Sequence, residues 1–233
     1  MPRASGSAET AEVVLEGVRV EPDRSEILRY LGYPAQAQVP PWVTSRVEAA
    51  LQTVAGRLRP RGIYRLYQVE CCNTHALRLA GGRLLRGRIG EFLGSAQQAA
   101  VFLATAGPEI TAWAEQAMRE RDILSGLIYH ALGAALAEAM VECIVADLRS
   151  RLRPGEALTM PYSPGYCGIP LSEQRTLFEL IDAGRVGVEL LPTLIMRPLK
   201  SVSGVIGIGP AERVQAYGNP CHQCPLTDCR MRR

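Results

Sequence analysis

The chain has 233 residues, of which 47% are hydrophobic and 21% charged, and its formal net charge is +3. This composition excludes disorder as the dominant state, and a chain of this length buries roughly 70–75% of its extended surface. The small net charge gives no argument for nucleic acid as a partner. The longest mostly apolar run, 124–137, falls short of the roughly 20 residues that span a bilayer, so we also expect no membrane segment.

Hydrophobic periodicity and turn residues predict strands and helices in mixed order. In the first half these are a strand over 13–20, a helix over 23–31, a helix capped by Ser45 and Glu48, a strand over 63–70, a hairpin over 77–84 and a strand over 98–105. In the second half these are a helix that begins after Gly107-Pro108, a long helix over 122–149, a helix over 172–182, and strands over 186–190 and 201–208.

This order lacks regular βαβ alternation, which favours the α+β class. We expect a disordered N-terminus over 1–12, one domain over 13–210, and a cysteine-bearing tail over 211–233. The first twelve residues contain no apolar stretch typical of a secretion signal. The seven cysteines therefore favour a reducing cytoplasm, and metal or redox use over disulfides.

Three of those cysteines lie in the tail, in the pattern Cys221-x-x-Cys224-x-x-x-x-Cys229. Three thiols so close in sequence can converge on one metal ion or cluster, and such a site requires a fourth ligand. The candidates for this ligand are Cys167, Cys71, Cys72 and His222. An iron–sulfur cluster, a zinc ion and a tail without metal all remain open from the spacing.

The most distinctive segment is Ser163-Pro164-Gly165-Tyr166, a Pro-Gly turn placed ahead of a predicted helix. Turn amides and a helix N-terminus favour anionic groups, whereas the face of a tyrosine favours a cation. A zwitterionic ligand with an additional positive centre would suit both, and a purely structural turn is the alternative. Upstream, Glu138 either lies at the solvent edge of the long helix or is buried and meets a cation.

Two further features have plain structural interpretations. The glycines of 204–209 have the order G-x-x-G-x-G, the reverse of a dinucleotide-binding fingerprint, and indicate a strand that another backbone or a ligand approaches closely. His130 lies on the apolar long helix and is interpreted as a core histidine rather than a catalytic one.

Several segments together resemble the activation (reactivation) domain of vitamin B12-dependent methionine synthase, and most of all its free-standing relatives. The similar segments, in chain order, are 26–33 (EILRYLGY), 105–107 (TAG), 136–139 (LAEA), 163–166 (SPGY), 177–180 (LFEL) and 196–204 (MRPLKSVSG). The resemblance covers roughly residues 13–233.

The resemblance implies an α+β domain in which a twisted antiparallel sheet is flanked by helices. It implies binding of S-adenosylmethionine and docking on a corrinoid-binding protein or B12-dependent methyltransferase, which supplies the cobalamin. One-electron reduction of cob(II)alamin and methyl transfer from S-adenosylmethionine would then restore the active cofactor. The family's ligand-binding positions fall on Glu138, Ser163, Gly165 and Tyr166.

The resemblance also bears on the tail. A [4Fe–4S] cluster on Cys221, Cys224 and Cys229 would reach the low potential that cob(II)alamin reduction requires, with Cys167 as the leading fourth ligand because it adjoins the Pro-Gly turn. Zinc carries no electrons, so a zinc-bound tail would require a separate flavodoxin or ferredoxin.

One departure from the family concerns the ligand's carboxylate. The family arginine three residues before the proline of the turn is Pro161 here, and Arg175 or Arg197 are candidates to replace it. The departure keeps a second function open, a non-catalytic docking or chaperone subunit for a corrinoid protein. The cysteine tail keeps a third open, an iron–sulfur protein that delivers electrons to cobalt.

Overall fold

The computed structural model describes residues 10–34, 36–94, 96–166 and 168–214. Their central element is a seven-stranded antiparallel sheet. Its strands are β1 (Val13–Leu15), β2 (Arg61–Asn73), β3 (Ala76–Leu79), β4 (Arg83–Arg86), β5 (Gln98–Thr105), β6 (Glu156–Leu158) and β9 (Ser201–Pro210). The order is β4-β3-β2-β5-β9-β6, and β1 pairs with the first half of β2. A separate ribbon joins β7 (Glu189–Leu190) to β8 (Met196–Arg197).

Seven helices accompany these strands in the described part of the chain. They are α1 (Arg24–Tyr30), α2 (Pro41–Val54), α3 (Ile89–Leu93), α4 (Glu109–Arg119), α5 (Ile123–Ser150), α6 (Glu173–Leu180) and α7 (Ala211–Val214). The side chains of Asp23 and Asp122 accept hydrogen bonds from the backbone N–H groups of Ser25 and Ser125, which caps α1 and α5. No helix among the described residues combines the length and the apolar character needed to cross a bilayer.

The sheet is covered on both faces, which explains the apolar run of β5. On one face α5 packs Met140 and Ile144 against Tyr64 and Phe102 of the sheet. On the other face α3 and α6 contribute to the core that contains Val101 and Leu103 of β5. Helices α1, α2 and α4 pack against the first half of α5. The α+β class and the single antiparallel domain are therefore confirmed.

Two predicted boundaries in the first half are wrong. The strand predicted over 13–20 ends at Leu15, because Gly17 adopts a positive φ of 68° that breaks the extended chain. The capping by Ser45 and Glu48 is not observed, since α2 begins at Pro41 and Ser45 lies inside it. Proline suits this first helical position because no intrahelical N–H donor is needed there.

Two predictions in the second half also require correction. Much of the strand predicted over 186–190 is not extended, because a 3₁₀ turn over Ala183–Val186 precedes the two-residue β7. The sequence indicates no strand between α5 and α6, yet this segment contains β6, which pairs with the end of β9. The predicted segments 1–12 and 211–233 lie largely outside the described residues and stay predictions.

Candidate functional site

A cavity of about 390 Å³ lies between α1, α5, the segment that follows β6, α6 and the start of β9. Its volume falls in the range of about 300–1,000 Å³ that small-molecule sites occupy. Three of the four residues that the resemblance implies as ligand-binding line this cavity: Glu138, Ser163 and Tyr166. The fourth, Gly165, lies between two lining residues, Pro164 and Tyr166.

The Pro-Gly segment forms a hydrogen-bonded turn at the cavity wall. The N–H of Tyr166 donates to the carbonyl of Ser163 at 3.3 Å, and Gly165 has a φ of +90°. Proline followed by a glycine of positive φ is typical of a type II turn. The Gly165 N–H donates to the carbonyl of Ile169 at 2.9 Å, which closes the loop. The side chain of Tyr166 is 64% exposed, so its ring is accessible to a ligand or a partner.

The turn is joined to the sheet through the preceding residue, Tyr162. Tyr162 and Val205 of β9 exchange backbone hydrogen bonds of 3.0 and 2.9 Å, and the Tyr162 ring stacks on Phe92 at 4.9 Å between centroids. A Cβ on Gly204 would lie 2.5 Å from the carbonyl oxygen of Tyr162. This close approach of two backbones confirms the structural interpretation of that glycine in 204–209.

Two side chains of opposite charge line the cavity. Glu138 is half-buried on α5. Arg29 comes from α1, where its Nε donates to Glu26 at 3.1 Å and its guanidinium lies 4.9 Å from the centroid of the Tyr30 ring. The hydrogen bond to Glu26 raises the pKa of Arg29, and together these two contacts orient the cation on its helix.

The position that departs from the family lies in the cavity wall. Pro161 lines the cavity, as expected for a residue two positions before the turn. Arg175 and Arg197 do not line it: both are exposed, and Arg197 pairs with Glu189 at 3.4 Å. Among the described residues, Arg29 is the basic side chain in this cavity, and no motif in the sequence singles it out as a replacement.

A buried polar pair also reaches the cavity. Gln174 of α6 is 5% exposed and Ser203 of β9 is 3% exposed. The Nε2 of Gln174 donates to Ser203 Oγ at 3.4 Å, whereas its Oε1 is buried without a hydrogen-bond partner. The sequence assigned a role to neither residue, although Ser203 lies in the similar segment 196–204, because neither follows a recognisable ligand-binding spacing.

Most of the predicted metal ligands lie outside the described residues; these are Cys167, Cys221, Cys224, Cys229 and His222. The structure does describe Cys71, which is exposed, and Cys72, which is half-buried with its thiol donating to the carbonyl of Gly90 at 2.8 Å. Burial, with a smaller effect of Cys71, raises the pKa of the Cys72 thiol, which disfavours the thiolate that a metal needs. The described residues contain no group of three or more metal-binding side chains.

Comparison with known proteins relates this chain to a family. A sequence profile described as the activation domain of vitamin B12 dependent methionine synthase matches residues 91–219, more than half of the chain. A solved structure, the MetH reactivation domain bound to AdoHcy, superposes with a TM-score of 0.70 at 19% identity. The superposition covers 86% of this chain and 79% of that one, and shows that the two share a fold. No curated protein is a significant sequence match. The chain belongs to the family of vitamin B12-dependent methionine synthase activation domains.

Proposed function

We propose that the cavity binds S-adenosylmethionine and that the chain reactivates a B12-dependent methyltransferase. The observation that carries this proposal is the presence of Glu138, Arg29 and the Tyr166 ring in one cavity. S-Adenosylmethionine carries an α-ammonium, a carboxylate and a sulfonium, so its charges are complementary to these three groups. The buried oxygen of Gln174, which lacks a partner, is a further sign that the cavity accommodates a polar ligand.

The two charged side chains would hold the amino-acid end of the ligand. Glu138 would accept hydrogen bonds from the α-ammonium, and Arg29 would donate to the carboxylate in place of the arginine that Pro161 replaces. The guanidinium of Arg29 is engaged by Glu26 through Nε and Nη2. Because a guanidinium has five N–H donors, it can be oriented by one carboxylate and still bind a second.

The turn over 163–166 would position the sulfonium end. Tyr166 would lie against the sulfonium, a cation–π contact of roughly 0.5–2 kcal/mol. The Ser163 hydroxyl would donate a hydrogen bond to the ligand, and Gly165 would let the backbone approach it closely.

Site-directed variants test the binding site. Glu138→Gln should weaken binding of S-adenosylmethionine about tenfold or more, because a hydrogen bond to a charged group contributes roughly 1.5–3 kcal/mol. Tyr166→Ala should also weaken binding. Glu142→Gln is the matched control, since Glu142 lies one helical turn away and does not line the cavity. Calorimetry measures all three, and parent-like binding by both Glu138→Gln and Tyr166→Ala would refute this site.

The role of Arg29 has a separate test. Arg29→Gln should lower affinity for S-adenosylhomocysteine about tenfold or more but leave affinity for 5′-methylthioadenosine, which lacks the amino-acid end, near the parent value. Arg175→Gln is the control for loss of a positive charge outside the cavity. Equal losses for both nucleosides would show that Arg29 supports the fold rather than the carboxylate.

The corrinoid would come from a partner protein. The chemistry would be one-electron reduction of the partner's cob(II)alamin and transfer of the methyl group from the sulfonium to cobalt. S-Adenosylhomocysteine would remain in the cavity. Exposed apolar side chains of Met160, Tyr166 and Leu171 near the turn offer a contact surface for the partner. With S-adenosylmethionine and a low-potential reductant, the visible spectrum of a cognate corrinoid protein should change to the methylated form. Efficient turnover of free cob(II)alamin would contradict the requirement for a partner.

A docking subunit without methyl transfer is the second candidate, and the uncharged Pro161 in the cavity wall favours it. Such a subunit would bind the corrinoid protein with the same affinity whether or not S-adenosylmethionine is present. Absence of ligand binding in calorimetry, combined with tight binding of the corrinoid protein, would favour this candidate over the first.

The cysteine tail would relay the electron from a low-potential reductant to the partner's cobalt, as the spacing of its three thiols suggests. Cys221, Cys224 and Cys229, with Cys167, would bind a [4Fe–4S] cluster of low potential in a reducing cytoplasm. Anaerobic purification with iron and sulfide analysis tests it, with Cys224→Ser as the variant that should lose the cluster. Stoichiometric zinc without broad visible absorption would instead make the tail a structural site. A flavodoxin or ferredoxin would then deliver the electron.

A further inference from the structure

The amide of Gln174 is a buried polar group whose hydrogen bonds are incomplete. Its Oε1 is one of three buried side-chain atoms without a partner in the described part of the chain, together with Glu109 Oε2 and Thr111 Oγ1. Of these three residues, Gln174 is the one that lines the candidate ligand cavity. A buried polar atom without a partner destabilises the protein, so its retention requires a reason.

Gln174 is also held in place by its surroundings. The preceding residue, Glu173, is 5% exposed and accepts a hydrogen bond from the backbone N–H of Arg86 at 2.9 Å, which ties the first turn of α6 to β4. On the cavity side, Ser203 accepts from the Gln174 amide at 3.4 Å. Burial and this bond restrict the amide, and a restricted acceptor loses less entropy than a free one when a ligand donor meets it.

The chemistry of the ligand limits which donor can reach Oε1. S-Adenosylmethionine has the α-ammonium, two ribose hydroxyls and the 6-amino group of adenine as its hydrogen-bond donors. The proposed function assigns the α-ammonium to Glu138. An ammonium bound by Glu138 on α5 keeps further N–H donors, but Gln174 lies on α6, so a donor of the nucleoside half can meet it without competition from Glu138.

We propose that Gln174, positioned by Ser203, accepts a hydrogen bond from the nucleoside half of S-adenosylmethionine and thereby determines which nucleoside the cavity accepts. This inference rests on the proposed function. It adds a specificity-determining residue on α6, which lies outside the turn and the long helix. A site that hydrogen-bonds a substrate donor discriminates strongly against analogues that lack it, because the buried acceptor is then left without a partner.

Gln174→Met is the diagnostic variant, because it keeps the length of the side chain but removes the amide. Without ligand, its melting temperature should equal or exceed that of the parent, since the buried atom without a partner is gone. Its affinity for S-adenosylhomocysteine should fall about tenfold or more. Thr111→Val is the matched control, because it removes another such atom outside the cavity and should leave affinity unchanged. Gln174→Glu keeps an acceptor and should retain more affinity than Gln174→Met.

Ligand analogues identify the donor. The parent and Gln174→Met are compared on S-adenosylhomocysteine, its 2′-deoxy and 3′-deoxy forms, and S-inosylhomocysteine, in which a 6-oxo group replaces the amine. The donor that Gln174 recognises is the one whose removal weakens binding by the parent but not by the variant. If the parent binds and Gln174→Met binds equally well, the inference is wrong while the proposed function stands. If the parent binds none of these nucleosides, the proposed function fails and the inference fails with it.

Discussion

Two buried tyrosines of β2 show how the acceptor of a hydrogen bond determines its contribution to the stability of the protein. The hydroxyl of Tyr64 donates to the carboxylate of Asp147, whereas that of Tyr67 donates to the backbone carbonyl of Leu180. Bonds to charged groups contribute roughly 1.5–3 kcal/mol and neutral ones roughly 1 kcal/mol. Tyr64→Phe should therefore lower the free energy of unfolding at pH 7 by about 2 kcal/mol, more than Tyr67→Phe does. Urea denaturation of the two variants measures the difference, and a larger loss for Tyr67→Phe would contradict it.

The hydrogen bond between Tyr64 and Asp147 predicts that stability depends on pH. Burial raises the pKa of Asp147, but the hydrogen bonds from Tyr64 and Arg151 outweigh it and hold this pKa below its usual range. The stabilisation is present above the unfolded pKa of about 3.9 and is lost as the pH falls through the lower folded value. The stability difference between parent and Tyr64→Phe should shrink as the pH falls from about 5 to below about 3, while that for Tyr67→Phe stays constant. Denaturation series at several pH values test this, and parallel curves for both variants would refute it.

The lowered pKa of His130 predicts a second loss of stability, at a higher pH than that of Asp147. Burial, followed by the charge of Lys200, lowers the pKa of His130, and Glu115 opposes the shift. The unfolded imidazole takes up a proton near about pH 6.5, before the folded one does, so stability falls as the pH drops through this value toward the lower folded pKa. His130→Gln should flatten this dependence, whereas His75→Gln at an exposed position serves as the control. An unchanged slope in His130→Gln would show that other groups cause the acid sensitivity.

At the scale of elements, β9 connects the core to the cavity wall. A Cβ on Gly204 would lie 2.5 Å from the carbonyl oxygen of Tyr162, whereas one on Gly207 would meet the side chains of Leu93 and Thr159 at 2.8 and 3.0 Å. A backbone neighbour cannot move aside as a side chain can. Gly204→Ala should therefore destabilise the protein by about 1–3 kcal/mol, more than Gly207→Ala does, and weaken ligand binding by displacing the turn after Tyr162. Thermal denaturation and calorimetry on both variants test this, and equal losses would contradict it.

Sequence patterns predict the long, strongly patterned elements and fail where short-range chemistry ends them. The predictions of the apolar strand β5 and the long helix α5 are correct, because burial on both faces leaves a continuous hydrophobic pattern. The start of α2 is missed because Ser45 and Glu48 have capping spacing, yet Pro41 begins the helix one turn earlier. The strand β6 is missed because its three residues pair only through tertiary contact with β9.

At the scale of the whole molecule, the cavity is made from residues that lie far apart in the chain. Glu138 and the turn over 163–166 can be found through resemblance, since each is marked by a local motif. Arg29 lies in the similar segment 26–33, but nothing there assigns it to the ligand, and Gln174 has no such motif. Only the packing of α1 and α6 around α5 and β9 brings them to the same cavity. No periodicity in the sequence predicts that Arg29 and Gln174 line the same cavity.

The same arrangement predicts that the segment matched by the family profile cannot function alone. Residues 91–219 lack β2, the strand that pairs with β1, β3 and β5, and they lack Arg29 of the cavity wall. Without β2, the apolar strand β5 would have an exposed edge with unpaired backbone groups, which favours aggregation. A fragment of residues 91–219 should therefore show no cooperative thermal transition and no binding of S-adenosylhomocysteine.

Fragment complementation is the control for that experiment. Addition of a separate fragment of residues 10–90 supplies β2, α1 and α2, and should restore both the transition and binding if the two pieces reassemble around the β2–β5 pairing. Circular dichroism on heating and calorimetry with S-adenosylhomocysteine give the two readouts. A cooperative transition and parent-like binding by residues 91–219 alone would show that the N-terminal elements are dispensable, and that Arg29 has no part in holding the ligand.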